Sequence, residues 1–447
     1  MNLGLNLSLR GARPTLAQQV SQIFKLEGLT GGWFDSGDAL TAPWYQDSAG
    51  TTAAAIEQPL GKAIDKSGNG NHALQATAAA RPKLSSRVNL LTKSEQFDGS
   101  AWTKSNSSVS VDAVAAPLGT ITADKIVENS ASSEHYAGYE ALAKAASVTC
   151  TLTVYAKAAE RTRLTVNFRG GTVSDGAEVT ANLAAGTLGT ASVSGGMTSP
   201  SASITDVGGG WYRCSLTATT DSGTVLSSRL KLHNGSSVNY VGDGASGAYV
   251  WGVQLELGSV ATRYQRVDTA SSYDTAGFPL YTLFDAVPDD YLTSATGGGG
   301  NTGFCLAASV KPSKNGVTRI LYSDIGTNTG FQVTLLSTNV IRLAAGNGSA
   351  FLVCDSANTL LEGVPNTVLV WFDGTNLNVQ LNGGTVSVLA APGILAGPGG
   401  FTLGRNQSSG VANMQGGFYS VIFTKNSGLT SVQRAILARY IAQKAGL

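Results

Sequence analysis

Val148-Thr149-Cys150-Thr151-Leu152-Thr153-Val154-Tyr155 places apolar residues at its even positions and threonine at most of its odd ones. Successive side chains of a strand point to opposite faces, so this run predicts one face on a core and one in water, with Cys150 inward. The same period recurs in Arg163-Leu164-Thr165-Val166-Asn167-Phe168, in Tyr249 to Leu255, in Phe331 to Leu335 and in Thr367 to Leu381. Turn signals separate the runs: Asp373-Gly374, Asn382-Gly383 and Gly208-Gly209-Gly210. Short strands with glycine-rich turns predict a mainly β chain of β-sandwich, jelly-roll domains.

Helices are few. Thr430 and Gln433 are spaced as a capping box, Val432, Ile436, Leu437, Tyr440 and Ile441 form an apolar stripe, and Gly446 stands where a C-terminal cap belongs. This C-terminal helix is expected to pack on a sheet. A weaker helical pattern runs from Thr15 to Leu26, with Leu16, Val20, Ile23 and Phe24 on one face. Ahead of it, Leu3, Leu5, Leu7 and Leu9 alternate with Asn2, Gly4, Asn6 and Ser8, an extended arm with an apolar face and no core of its own. Such a strand suits completion by a partner's open sheet edge, with Arg10 and Arg13 placed to meet acidic groups there.

Composition narrows the function. With 30 basic against 29 acidic residues the formal charge is +1, so no broad basic field exists to hold nucleic acid or an anionic membrane. No run reaches the length of a membrane span, and the arginines follow the apolar N-terminal residues, the reverse of a secretory signal. Cys150, Cys214, Cys305 and Cys354 are far apart, which excludes zinc ribbons and CxxC redox motifs and predicts buried free thiols.

Two sets of blocks resemble known modules. Gly31-Gly32-Trp33-Phe34-Asp35, Gln46-Asp47-Ser48-Ala49-Gly50-Thr51-Thr52, Asp65-Lys66-Ser67-Gly68-Asn69-Gly70-Asn71-His72-Ala73 and Ala80-Arg81-Pro82 resemble the opening of laminin-G/concanavalin-like modules of tailed-phage and prophage proteins. The strand that follows directly in that family resembles Phe284-Asp285-Ala286-Val287-Pro288-Asp289-Asp290-Tyr291-Leu292, which here comes some 200 residues later. Between them, Asn89 to Phe97, Ala101-Trp102-Thr103-Lys104, Gly210-Trp211-Tyr212-Arg213-Cys214, Trp251 to Gly258 and Ala261-Thr262-Arg263-Tyr264 resemble a carbohydrate-binding-module-like jelly roll common in phage structural proteins. The resemblance implies an N-terminal arm over 1–26, a discontinuous sandwich over 27–89 and 269–447, and an inserted jelly roll over 90–268.

Catalytic constellations are missing at the level of motifs. His72, His135 and His233 lack a second histidine at metal or triad spacing, no Gly-x-Ser-x-Gly elbow occurs, and no phosphate loop ends in Gly-Lys-Ser/Thr. Asp65 to Gly70 begins like an EF-hand loop, but Ala76 occupies position 12, where a bidentate glutamate is needed. A different calcium geometry would draw on Asp65, Asn69, Asp289 and Asp290; otherwise these residues satisfy turn backbone. Asp289 and Asp290 are adjacent, hence on opposite faces of a strand, and cannot flank one glycosidic bond. Sugar binding needs aromatic faces and polar groups for hydroxyls, and the loop aromatics Trp44, Tyr45, Trp102, Tyr136, Tyr139, Tyr212 and Tyr240 are the candidates, whereas Trp33, Trp211, Trp251 and Trp371 fall in strand patterns that assign them to the core.

The resemblance implies a non-enzymatic structural protein of a tailed-phage virion, a tail fibre or baseplate-associated protein made in the bacterial host cytoplasm, homo-oligomeric, anchored to other virion proteins by its arm and displaying modules for host-surface glycan. A glycan depolymerase or esterase of a tail spike, and a purely architectural decoration protein, are the rival readings.

Overall fold

The strand Thr149–Ala158 shows how alternation becomes architecture: Cys150, Leu152, Val154 and Ala156 are at most 1% exposed and share one apolar cluster. The opposite face is not wholly in water. Thr151 and Thr153 are buried too, because the chain after Leu257 folds back over them and Thr151 donates its hydroxyl to the Gly258 carbonyl at 2.8 Å. In this computed structural model, residues 13–25, 29–172, 174–285, 290–296, 303–313, 318–406, 413–425 and 428–447 are described.

Four antiparallel sheets form two sandwiches. In the first, an eight-stranded sheet has Phe304–Pro312 and Gly416–Lys425 at its centre, and Thr30–Asp35 pairs with the latter. The second eight-stranded sheet runs from Lys62–Ala63 through Arg319–Ser323 to Phe351–Thr359. Phe304, Phe331, Phe401 and Phe423 fill the space between these sheets. The other sandwich joins a six-stranded sheet, with Thr149–Ala158 between Trp211–Thr219 and Gly247–Leu257, to a seven-stranded sheet containing Tyr136–Ala143, Arg163–Arg169, Gly176–Asn182 and Val225–His233.

The sheets of the first sandwich take strands from both sides of the second: Lys83–Ser85 pairs with Tyr281–Phe284. The two connections lie side by side, since Gln265 accepts from Val88 N and Asn89 N at 2.7 and 3.1 Å and donates to the Ser86 carbonyl at 3.0 Å. A module whose two ends meet can interrupt a surface loop without distorting its host.

Two helices cover the outer face of the first sandwich. α1 (Leu16–Lys25) and α2 (Ser431–Lys444) bury Val20, Ile23, Phe24, Leu437, Tyr440 and Ile441 against Trp33, Cys305, Leu369, Trp371 and Ile422. The segment 1–26 is therefore not one arm, for its second half is part of the sandwich's outer layer. Thr430 and Gln433 make the expected capping box, and Gly446 has φ +76°. Val432, by contrast, is 68% exposed. At about 100° per residue it lies roughly 140° around the helix from Leu437, outside the stripe. The four cysteines are buried and unpaired, and burial raises the thiols of Cys150, Cys214 and Cys305 to about 12. No helix among the described residues is long and apolar enough to cross a membrane.

Candidate functional site

Three of the loop aromatics expected to face ligand are in cores. Trp44 is 2% exposed and packs with Phe34, Leu60 and Phe284, since the segment around it folds back over the sandwich, its carbonyl accepting from Ala54 N at 2.7 Å. Trp102 is 1% exposed, stands 4.8 Å from the Phe97 ring and donates its indole N–H to the Lys93 carbonyl at 2.9 Å. Tyr240 is buried beside His135, with its hydroxyl on Glu128 at 2.5 Å. Rings with both faces packed cannot stack on sugar, so these residues are structural. Tyr139 is half-buried, its ring edge-on to Trp102 and its hydroxyl 3.1 Å from that of Thr92. Tyr212 packs on the inner core, and Tyr45 stays half-buried beneath Lys62.

A different aromatic group forms a pocket. Trp211–Thr219, Thr149–Ala158 and Gly247–Leu257 are neighbours in one sheet, and their register sets Arg213, Tyr155 and Trp251 side by side in a single row. Their parity is opposite to Cys214, Val154 and Val250, which lie in the core, so the row faces outward. Trp251 is itself 3% exposed, the buried position its strand pattern assigned, and forms the floor, while Tyr264 folds over the row with its ring 4.9 Å from Trp251 and 6.1 Å from the half-buried Tyr155. Gly252 makes this close packing feasible: its φ is +59°, and a Cβ there would sit 3.1 Å from the Tyr155 ring and 3.4 Å from that of Tyr264. The pocket encloses about 410 Å³, and Glu95, Leu118, Arg263, Arg266 and Asp274 complete its walls.

Its polar groups are held in place. The Tyr264 hydroxyl meets Ser94 Oγ at 2.7 Å and donates to Glu95 Oε1 at 3.1 Å. Gln254 and Glu256 fasten the returning chain, Glu256 accepting from Thr262 N at 2.9 Å and Gln254 donating to the Arg263 carbonyl at 3.2 Å. Burial raises the pKa of Glu95, against the lowering influence of its bond from Tyr264 and of Arg266. Burial first, and then the Glu95 charge, raises that of Tyr264, which keeps it a donor. Two buried donors on the pocket lining, Trp251 Nε1 and Arg213 Nε, have no hydrogen-bond partner among the described residues. A buried N–H without an acceptor costs about 1–3 kcal/mol, and neither nitrogen is open to solvent, so a ligand oxygen would reach them only with a side-chain shift. The accessible lining offers aromatic carbon from Tyr155 and Tyr264 beside the exposed Arg263 and Arg266, the kind of chemistry that sugar rings and hydroxyls require.

The seven-stranded sheet carries a second polar face, where Tyr136 lies. Arg229 and Lys231 project from Val225–His233 between Glu134, Glu140, Asn167 and Glu178, with Arg229 2.7 Å from Glu140 and 4.5 Å from the Tyr136 ring centre. Burial opposes ionisation of Glu140, and the Arg229 bond and charge outweigh it to hold its pKa below the ordinary value. Here the charges satisfy one another and cap the ring, so this face is less suited to take up sugar than the aromatic pocket.

Of the groups expected to hold calcium, the Asp65 carboxylate is fully engaged by the turn itself. The Asp65 carboxylate accepts from Trp33 N, Ser67 N, Ser67 Oγ and Asn71 N, which uses about all its lone-pair directions. Asn69 donates its amide to the Leu29 and Gly31 carbonyls, and Asp290 accepts from Asp285 N. Asp65 and Asn69 thus build a turn. Asp289 and the arm residues Leu3, Leu5, Leu7, Leu9 and Arg10 lie outside the described residues, and Arg13 is exposed just before α1. Among the described residues no group of three metal-ligating side chains is present.

Tyr155 and Trp251 carry a legible signal, an aromatic at the outward parity of an alternating run; Tyr264, Arg213 and Glu95 reach them only through the fold. No family model and no curated protein matches the chain. Solved structures similar to parts of it include a heptameric SAP-like pentraxin from Limulus polyphemus, 17% identical over 33% of this chain and 75% of that one at a TM-score of 0.27. The Ruminococcus gnavus IT-sialidase CBM40, bound to alpha2,6 sialyllactose, is 14% identical over 31% of this chain and 84% of that one, also at 0.27. Domains LG4-5 of the mouse laminin alpha1 chain are 12% identical over 65% and 85% at 0.28.

Proposed function

We propose that this chain is a non-enzymatic glycan-binding protein and that the inserted jelly roll takes a sugar unit in the pocket over Arg213, Tyr155 and Trp251. The observation that carries the reading is the half-buried Tyr155 and Tyr264 rings beside the exposed Arg263 and Arg266 on one pocket lining. The setting, a tailed-phage virion protein of the tail fibre or baseplate that displays several copies toward host-surface glycan, is supported by the resemblance of its sequence blocks. Docking to other virion proteins through the N-terminal arm rests on the leucine alternation of residues 3–9. Roughly millimolar affinity at one pocket becomes effective when many copies engage one surface.

Binding of purified host-surface polysaccharide, followed by calorimetry and by shifts of indole N–H resonances, tests this. Saturable binding that perturbs the Trp251 indole and weakens in Arg263→Ala supports the reading; no binding to any surface polysaccharide of the host, or binding indifferent to both, overturns it. One observation favours a second reading: Glu95, whose carboxyl burial pushes above its ordinary pKa, lines the same pocket as Asp274, and a glycosidase works with a pair of carboxyl groups of which the acid's pKa is raised. Release of reducing ends that disappears in Glu95→Gln would establish it.

A further inference from the structure

The first sandwich contains a fully buried lysine–aspartate pair, away from the pocket of the inserted jelly roll. Lys425 ends the central strand Gly416–Lys425 of one sheet, and Asp324 follows Arg319–Ser323 of the other. Both side chains are 0% exposed, and Lys425 Nζ is in direct contact with Asp324 Oδ2. Aromatic rings surround them, with Nζ 5.5 Å from the centre of Tyr322 and 6.0 Å from that of Phe423.

Both oxygens of the carboxyl are held by hydrogen bonds. Phe331 N–H donates to Oδ1 at 2.6 Å, and the Tyr322 hydroxyl donates to Oδ2 at 3.2 Å. Backbone closes around it without side chains between: a Cβ on Gly330 would stand 2.4 Å from the Asp324 carbonyl oxygen and 3.0 Å from Oδ1, and one on Gly397 2.0 Å from that carbonyl oxygen. Removing an ammonium and a carboxylate from water is costly for each, and burial lowers the Lys425 pKa to about 6. Passing one proton from nitrogen to carboxylate yields a neutral amine and a neutral acid, the two reactants of amide condensation.

We propose that Lys425 and Asp324 are joined by an intramolecular amide bond that ties the two sheets together. The Nζ lone pair attacks Asp324 Cγ, forming the N–C bond and moving charge onto Oδ1, where the Phe331 N–H stabilises it. The Cγ–Oδ2 bond then breaks, and Oδ2 leaves as water with the acid proton and one proton from the amine. Tyr322, whose hydroxyl burial keeps protonated, stands beside that leaving oxygen. Nothing else is consumed. Holding both groups in contact replaces a bimolecular encounter by an intramolecular one, and the dry surroundings keep water from reversing the step.

The intact mass of the full chain, measured after denaturation, decides the matter. The expected value is one water below the sequence mass, with a branched tryptic peptide that joins the segments of residues 324 and 425. Asp324→Asn should give the same cross-link with loss of ammonia, and Lys425→Met should have its full sequence mass. A wild-type chain at full sequence mass overturns the proposal, and so does a water loss that maps to any other pair.

Discussion

Trp251 contributes an indole N–H that nothing in the described structure accepts, and Trp251→Phe removes that donor while keeping a ring of nearly the same reach. Relief of that unsatisfied donor, about 1–3 kcal/mol, offsets the packing lost when this 3% exposed ring is made smaller, so the melting temperature should change little, which scanning calorimetry on the two proteins measures. Trp102→Ala tests the contrary case. Trp102 is wholly packed, and its loss should cost about 3–5 kcal/mol in denaturant unfolding. Asp124 supplies a pH signature at the same scale. Its carboxylate accepts from Phe97 N at 3.0 Å and Asp112 N at 2.9 Å, yet burial prevails and raises its pKa to about 6. The folded chain therefore holds this proton more tightly than the unfolded chain, and the contribution to stability declines as pH rises from about 4 to about 6. In urea titrations across that range, Asp124→Asn should lack this part of the slope.

The helices obey local rules that can be tested one at a time. Thr430 accepts from Gln433 N at 3.3 Å, and Gln433 returns the favour by accepting from Thr430 N at 2.8 Å. Thr430→Ala should cost about 1 kcal/mol, read as a lowered denaturation midpoint with unchanged slope. Beyond its cap, α2 is held by Tyr440, which donates to the buried Asp35, and by Lys444, 2.8 Å from the same carboxylate. The N-terminal helix depends on this layer, so truncations should separate attachment from folding. Removing residues 1–13 leaves the apolar face of α1 covered, and the expected outcome is a folded chain that no longer joins particles. Removing residues 1–25 uncovers Trp33, which stacks on Phe24 at 6.4 Å, and should lower the melting temperature as well. Normal incorporation of the shorter truncation would exclude the arm as the anchor.

At the scale of the whole molecule, the central question is whether the two sandwiches are separate folding units. Excision of about residues 90–268 with a short linker should leave a cooperatively unfolding sandwich, because Lys83–Ser85 and Tyr281–Phe284 remain neighbours and the severed connections already lie together. The excised protein should lose sugar binding altogether. A broad, non-cooperative transition in the shortened chain, together with an unfolded isolated insert, would show that the sandwiches fold only as one.

The features legible in the chain are those set by near neighbours. The inward parity of Cys150, Leu152 and Val154, the capping box of Thr430 and Gln433, and the turn at Asn382-Gly383, both with positive φ, each depend on a few consecutive residues, and sequence alone determines them. Parity says which way a side chain points from its sheet; it does not say what lies over that face. Trp44 follows Pro43 in a stretch that looks like open loop, yet the fold returns over it, and Trp251 has the parity of an outward residue but is covered by Tyr264 to make a pocket. Pairing Arg213 with Tyr155 and Trp251, or Lys425 with Asp324, requires strand register and sheet stacking across long separations. Those are decided by the packing of whole sheets, where side-chain volume and the course of the connecting chain select one arrangement among many that the same alternation would allow.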